Sequence, residues 1–252
     1  MASSPDKPGI QSVEIAVLIL EALADAPAPV MLKTLSEKAG MPVGKVHRYL
    51  TSLTRCGLAV QEAASGRYGI GPGAIQLGFA GLRQLDVVRC AGDALPDLRD
   101  EINETVALSV WANHGPAVVR IEGSSQPVTM NLRAGSVLPL ARSAIGIAFL
   151  AFLPKSMTRA VLEEERSRDE VPANLDPHLA NARASGIAAS EGLILPGVSA
   201  LAGPVFDHEG RVAAVISVVG RQGAFDSSPG GVTANALRRM LDLVSIRLGY
   251  AA

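Results

Sequence analysis

The sequence predicts a two-domain α+β protein. Two short helical patterns meet across a Gly-Met-Pro turn within the first sixty residues, and a glycine-containing hairpin follows them directly. Beyond residue 85, strand patterns cluster among segregated helical patterns, which is typical of an antiparallel α+β domain. The 252 residues are enough for two domains of unequal size, each with its own core.

The composition excludes several protein classes. Hydrophobic residues make up 48% of the chain, which excludes wholesale disorder. No apolar stretch approaches the roughly 20 residues that span a bilayer, so we expect a cytoplasmic protein with no membrane partner. Residues 1–10 read as a disordered polar tail and not as a signal peptide. Two cysteines and four scattered histidines lack the spacing of a disulfide framework or metal site, so we expect no metal and no cofactor.

The first domain, residues 11–72, begins with three predicted helices. Apolar residues recur at helical spacing from Ser12, and the pattern stops before Pro27, because a residue preceding proline is disfavoured in the α region. A second helix over residues 32–39 ends at Gly40, and Pro42 opens a third that continues to Cys56. This spacing predicts a helix-turn-helix.

The third helix is predicted to have an apolar face and a cationic face. Val46, Leu50 and Leu53 share one side and are expected to pack inward. The opposite side presents candidate DNA contacts: Gly44, Lys45, Arg48, Thr51, Ser52 and Arg55. Residues 41–57 contain no acidic residue, and a helix of about 14 residues, about 21 Å long, fits a major groove about 12 Å wide. An ordinary amphipathic surface helix explains this segment equally well when it is taken alone.

The hairpin that follows favours the DNA-binding interpretation. Residues 58–61 and 67–70 are short extended runs around a tip that contains Gly66. A helix-turn-helix followed at once by a hairpin is a winged helix-turn-helix. Arg67 then lies at the base of the wing, where it is expected to contact phosphate or the minor groove.

Residues 73–85 predict a helical linker, and residues 86–252 predict the second domain. Apolar residues from Val88 to Ile102 have a helical period, with a bend expected at Pro96. The linker region is either a lever between the domains or a plain packing helix. Strands are predicted at 106–111, 117–121, 128–133, 201–206 and 212–219, and helices at 143–153, 154–166, 177–184 and 232–248. Glu163, Glu164 and Glu165 are interpreted as a solvated helix face.

Several motifs together resemble the IclR family of bacterial transcription regulators. The stretch GMPVGKVHRYL at 40–50 is similar to the family's GLPKSTVHRLL helix, and GRYGIGP at 66–72 is similar to its GRYRLGP wing exit. Further matches are GSVLPL at 135–140, AFLAFLP at 148–154, PGV at 196–198 and GPVFD at 203–207. Their order and spacing are specific, and they cover nearly the whole chain after Ile10.

The resemblance implies an α+β chain with an amino-terminal winged helix-turn-helix and a carboxy-terminal GAF-like effector-binding domain, without catalytic activity. It implies a homodimer, or a dimer of dimers, that binds palindromic double-stranded DNA operators as a repressor or an activator. It also implies DNA contacts at Gly44, Lys45 and Arg48. The family's serine and threonine are replaced here by Gly44 and Lys45, which favours phosphate or guanine acceptors.

The resemblance also implies a pocket for a small organic acid. Its matching positions, with the adjacent strand residues, are Met130, Leu132, Leu140, Arg142, Ala144, Ile145, Gly146, Ser190, Ala200, Ser217 and Val219. Relatives that bind small oxo-acids have a cysteine and a serine where this chain has Ala200 and Val219. Without these hydrogen-bonding side chains, a very polar ligand would leave a polar group unpaired in the pocket, at a cost of about 1–3 kcal/mol. We therefore expect a larger, partly apolar acid such as an aromatic carboxylate. Arg142 is either its counter-ion or a surface cation at a helix start.

Two other functions compete with the regulator. An enzyme on a sensor-like fold needs a cluster of acid and base groups in one cleft, and the sequence offers no such cluster. A metabolite-binding or scaffold protein would use its winged helix to contact protein instead of DNA. Electrophoretic shifts on random duplex DNA at low salt distinguish that alternative from the main interpretation.

Overall fold

The computed structural model describes residues 9–84, 86–125 and 132–251. The chain divides into two compact units, residues 1–85 and residues 86–252. Most of the tail predicted for residues 1–10, and most of the strand predicted for residues 128–133, lie outside the described residues. The two units are described separately below.

The first unit contains three helices, a two-stranded hairpin and a fourth helix. In chain order these are α1 (Gln11–Ala24), α2 (Leu32–Lys38), α3 (Val43–Arg55), β1 (Ala59–Gln61), β2 (Tyr68–Ile70) and α4 (Pro72–Gln84). Gly40 has a φ of 62°, a left-handed conformation that favours glycine and reverses the chain between α2 and α3. Val30 adds an isolated β-bridge to the wing, because Val30 and Tyr68 exchange two backbone hydrogen bonds of 2.8 and 2.9 Å.

A small apolar core holds the first unit together. It is formed by the inward faces of the helices and the wing: Ile15, Ile19, Leu23, Leu35, Val46, Leu50, Leu53, Ala59 and Tyr68. Val46, Leu50 and Leu53 lie on one side of α3, as the helical period predicts. This packing fixes which side of α3 faces outward.

The second unit is an antiparallel sheet with helices on both faces. Its elements are α5 (Val87–Gly92), α6 (Leu95–Ile102), β3 (Thr105–Ala112), β4 (Gly115–Glu122), α7 (Ala144–Phe152), α8 (Lys155–Ser167), α9 (Leu175–Ser185), β5 (Ala188–Glu191), β6 (Val198–Phe206), β7 (Val212–Arg221) and α10 (Val232–Arg247). The strand order is β4-β3-β7-β6-β5. One core lies between the sheet and α5, α6 and α10, and the other lies between the sheet and α7.

The second unit differs from the sequence-based expectation at three places. The single helix predicted between residues 88 and 102 is two helices, because the chain turns at Asp93 and Ala94 and Pro96 lies in the first turn of α6. Residues 188–191 and 198–200, where no strand is predicted, form β5 and the start of β6. Glu165, predicted to face solvent, is buried.

Burial of Glu104 gives the unit a pH-dependent stability. Glu104 lies between α6 and β3, is 9% exposed, and its Oε2 atom has no hydrogen-bond partner among the described residues. Burial raises the pKa of this carboxyl above its ordinary value. A raised pKa contributes stability below the unfolded-state pKa, and this contribution is lost as the pH rises through the folded-state pKa.

We therefore expect Glu104→Gln to gain stability relative to the wild type as the pH rises from about 4 to 7. The gain should be about 1 kcal/mol, the usual cost of an unpaired buried polar group. Chemical denaturation at several pH values measures it. Glu163→Gln, at an exposed position on α8, is the matched control and should show no such gain. A Glu104→Gln curve parallel to the wild-type curve would contradict this assignment.

Candidate nucleic-acid interface and ligand cavity

The outward side of α3 is a cationic surface. Gly44, Arg48, Thr51, Ser52 and Arg55 are exposed, and Lys45 is half-buried. Within residues 9–84, 86–125 and 132–251, none of the three basic side chains forms an ion pair. Their charges are therefore available to an anionic partner, and the spacing along α3 places them on one stripe.

The two hydroxyls of this surface are partly committed within the helix. Thr51 Oγ1 donates to the His47 carbonyl oxygen at 2.9 Å, and Ser52 Oγ donates to that of Arg48 at 3.3 Å. In this conformation each hydroxyl presents lone pairs outward. The basic side chains thus supply the free donors of the surface.

Arg67 lies at the base of the wing with an exposed side chain. Its Nη1 donates to the carbonyl oxygen of Pro29 at 3.3 Å, which leaves most of its five N–H donors unused. The wing also carries an acidic residue, Glu62, which accepts a hydrogen bond from Ser65 Oγ at 2.6 Å. Arg67 is the one basic residue of the hairpin over residues 59–70, so it is the one cation that the hairpin adds to the cationic surface.

The second unit contains a cavity of about 350 Å³ beside the sheet and the start of α7. It is lined by residues of α7, of strands β5, β6 and β7, and of two connecting segments: Leu132, Ser136, Val137, Leu138, Ser143, Ala144, Ile145, Ser190, Ile194, Leu195, Val198, Ala200, Ser217 and Val219. Ten of these fourteen residues are apolar, four are serines, and none is charged. The cavity therefore suits a mainly apolar molecule that carries a few polar atoms.

Hydrogen bonds fix Ser143 and Ser190 at the cavity, whereas Ser217 makes only a weak contact. Ser143 caps α7, because its Oγ accepts from the Gly146 N–H at 2.8 Å and donates to the Pro139 carbonyl oxygen at 2.6 Å. Ser190 Oγ donates to the Arg142 carbonyl oxygen at 3.0 Å. The closest partner of Ser217 Oγ is the Ala107 carbonyl oxygen at 3.5 Å, a weak contact that leaves this buried hydroxyl available to a ligand.

Comparison with known proteins identifies the family. The model of the IclR helix-turn-helix domain matches residues 12–63, and that of the bacterial transcriptional regulator IclR C-terminal domain matches residues 79–245. The chain belongs to the IclR family. The match to the carboxy-terminal model alone covers well over half of the chain.

Relatives support this membership over nearly the whole length. The DNA-binding transcriptional repressor YiaJ of Escherichia coli is 30% identical over 229 residues, 86% of this chain and 81% of its own. The transcriptional repressor IclR of the same organism is 26% identical over 87% of this chain and 83% of its own. The crystal structure of Pseudomonas aeruginosa HmgR superposes with a TM-score of 0.91 at 42% identity, covering 96% of this chain and all of that one.

This IclR-family protein is therefore a DNA-binding transcriptional regulator and not an enzyme. The predicted class, an amino-terminal helix-turn-helix with a carboxy-terminal α+β domain, is confirmed. No helix in the described part of the chain is both long and apolar enough to span a membrane.

Most of the pocket positions implied by the IclR resemblance lie together. The cavity lining includes Leu132, Ala144, Ile145, Ser190, Ala200, Ser217 and Val219. Met130 lies outside the described residues. The remaining three, Leu140, Arg142 and Gly146, do not line the cavity.

Leu140 and Gly146 are in contact with each other beneath the cavity wall. Leu140 is fully buried in the core on the α7 side of the sheet. A Cβ atom added to Gly146 would lie 2.2 Å from the Leu140 carbonyl oxygen, so only glycine permits this approach. Leu140 and Gly146 thus support the residues that line the cavity without lining it themselves.

Arg142 is directed away from the cavity. Its Nη2 lies 3.7 Å from Glu170 Oε1, and its side chain lines a second, polar hollow with His114, Glu164 and Arg168. On the cavity side, the Arg142 carbonyl oxygen accepts the hydrogen bond from Ser190 Oγ. Of the two roles left open for Arg142, this conformation favours a cation outside the cavity.

The list of positions taken from the resemblance covers only half of the lining. The residues it did not include are Ser136, Val137, Leu138, Ser143, Ile194, Leu195 and Val198. Val137, Ile194 and Leu195 are large apolar side chains that remain about half exposed at the cavity. The only signal in the sequence was their position beside the matched LPL and PGV motifs.

Proposed function

We propose that this IclR-family regulator binds a DNA operator through α3 and the wing, and that a small organic acid in the cavity changes its DNA affinity. The observation that carries the proposal is the outward side of α3, where Lys45, Arg48 and Arg55 form no ion pair among the described residues. Such cations suit phosphates and guanine edges. A DNA-binding regulator acts in the compartment of the chromosome, and we place it in the cytoplasm.

We further propose that the protein binds palindromic operators as a homodimer, or as a dimer of dimers. Val13, Val17 and Leu18 support association, because these large apolar side chains of α1 are about half exposed. A two-fold symmetric protein presents two copies of α3 to two half-sites, which requires a palindromic operator.

The effector that fits the cavity best is a mainly apolar acid such as an aromatic carboxylate. The lining supplies ten apolar residues and no charged side chain, which disfavours a small, highly polar oxo-acid. With Arg142 outside the cavity, the carboxylate is assigned to the amino-terminal end of α7. There the N–H groups of Ala144 and Ile145 have no partner inside the helix, and the helix dipole favours negative charge.

A calorimetric titration with benzoate, pyruvate and glyoxylate tests the effector class. We expect benzoate to bind more tightly than either oxo-acid, by at least about tenfold, because its ring replaces water on apolar surface. Tight binding of pyruvate or glyoxylate with no binding of benzoate would reject the aromatic class. Electrophoretic shifts of DNA from beside the protein's own gene, with and without benzoate, then test whether binding changes DNA affinity.

A further inference from the structure

Glu165 differs from the two glutamates that precede it. Glu163 and Glu164 are exposed on α8 and form ion pairs with Arg159 and Arg168 at helical spacing. Glu165 is only 7% exposed. Burying a carboxylate is costly unless hydrogen bonds compensate it, so its position requires an explanation.

Both carboxylate oxygens of Glu165 accept hydrogen bonds from main-chain N–H groups of one distant segment. Oε1 accepts from Leu140 at 2.5 Å, and Oε2 accepts from Ala141 at 2.9 Å. Hydrogen bonds to an ionised acceptor are stronger than neutral ones, and the bidentate arrangement also fixes orientation. The carboxylate thus ties α8 to the chain just before α7.

The segment held by Glu165 is a wall of the cavity. Leu138 and Ser143, at the two ends of residues 138–143, line the cavity. Leu138, Pro139 and Arg142 also line the polar hollow on the opposite side, together with Glu165. The segment therefore separates the cavity from the hollow, and Glu165 contacts it from the hollow side.

The same segment is held on the cavity side by a serine. Ser190 Oγ donates to the Arg142 carbonyl oxygen, one residue beyond Ala141. Glu165 accepts from two N–H groups while Ser190 donates to a carbonyl, so the two side chains fix the peptide groups of one turn from opposite sides. A shift of this turn moves Ser143, which caps α7, and with it the first N–H groups of α7.

We propose that Glu165 is a positioning residue of the ligand cavity, acting from outside it. Its carboxylate holds residues 138–143 in the conformation that presents Ser143, Ala144 and Ile145 to a bound acid. The consequence for ligand binding rests on the proposed function, whereas the order imposed on the segment does not. A glutamine at this position keeps the size of the side chain, but its amide N–H₂ opposes one of the two backbone donors.

Hydrogen exchange on the full chain tests the first part of the proposal without any ligand. In Glu165→Gln, amide exchange in a peptide covering residues 138–143 should accelerate by about tenfold or more, the effect of losing a charge-assisted hydrogen bond. Glu164→Gln is the matched control, since it removes a neighbouring exposed carboxylate, and its exchange there should equal that of the wild type. Equal exchange in both variants overturns the proposal.

Benzoate affinity measured on the same variants tests the second part. Glu165→Gln should weaken benzoate binding by about tenfold and Glu164→Gln should leave it unchanged. Faster exchange with unchanged affinity overturns the coupling to the cavity. Absence of benzoate binding to the wild type rejects the effector class instead, and exchange still decides the role of Glu165.

A second variant covers the case in which Glu165→Gln fails to fold, seen as fast exchange throughout the chain. Glu165→Asp keeps the charge and shortens the side chain, so it should give exchange intermediate between the wild type and the glutamine variant. If amide exchange at residues 138–143 is no faster in Glu165→Asp than in the wild type, the proposal is overturned.

Discussion

Replacing Lys45 and Arg48 together by alanine should lower the affinity for operator DNA by more than about a hundredfold. Each contact of this kind contributes about 1–3 kcal/mol, and the proposed dimer would lose each of them twice. The fold should be unaffected, because the core of the first unit is built from the opposite side of α3, by Val46, Leu50 and Leu53. Fluorescence anisotropy with labelled operator measures the affinity, and thermal unfolding checks the fold.

The matched control for this double variant removes the same two residue types elsewhere. Lys155 and Arg159 lie on α8 in the second unit, and both are exposed. Replacing both by alanine should leave DNA affinity within about threefold of the wild type, the size of a non-specific charge effect. If the α3 variant binds operator as tightly as this control does, the assigned face of α3 is not the DNA-binding surface.

Replacing Ala200 by leucine should strongly weaken effector binding while leaving DNA binding intact. Ala200 lies on β6, lines the cavity, and is paired with Ser190 on one side and Val219 on the other. A leucine side chain there occupies the space assigned to the ligand. Forcing extra atoms into such a site costs about 1–3 kcal/mol, so benzoate affinity should fall by about tenfold to a hundredfold.

Ala112→Leu is the control for the cavity variant. Ala112 is a half-buried alanine at the end of β3 in the same sheet, and it does not line the cavity. Its variant should bind benzoate as the wild type does. Retention of full benzoate affinity by Ala200→Leu would show that the acid binds elsewhere.

Local periodicity predicts much of the fold. The apolar face of α3 recurs within a few residues, so Val46, Leu50 and Leu53 identify its buried side without any tertiary information. Strand β5 carried no such signal, because its four residues, Ala188, Ala189, Ser190 and Glu191, include no β-branched or aromatic side chain. It is a strand because β6 pairs with it.

The cavity could be predicted only in part, because its wall depends on contacts between residues distant in sequence. The resemblance to the IclR family implied pocket positions at Ala144, Ser190 and Ser217, yet nothing local indicates that Arg142 faces away from the cavity. Glu165 is the clearest case, since it looks like Glu163 and Glu164 in the sequence. Only the fold brings it to the main chain of Leu140 and Ala141.

The salt dependence of operator binding tests the central claim most directly. The claim is that the basic side chains of α3 bind DNA, so the logarithm of the binding constant should fall steeply with the logarithm of the salt concentration. Replacing Lys45 by alanine should reduce the steepness of this slope by about one for each bound copy of α3. A slope for Lys45→Ala equal to the wild-type slope would contradict the claim.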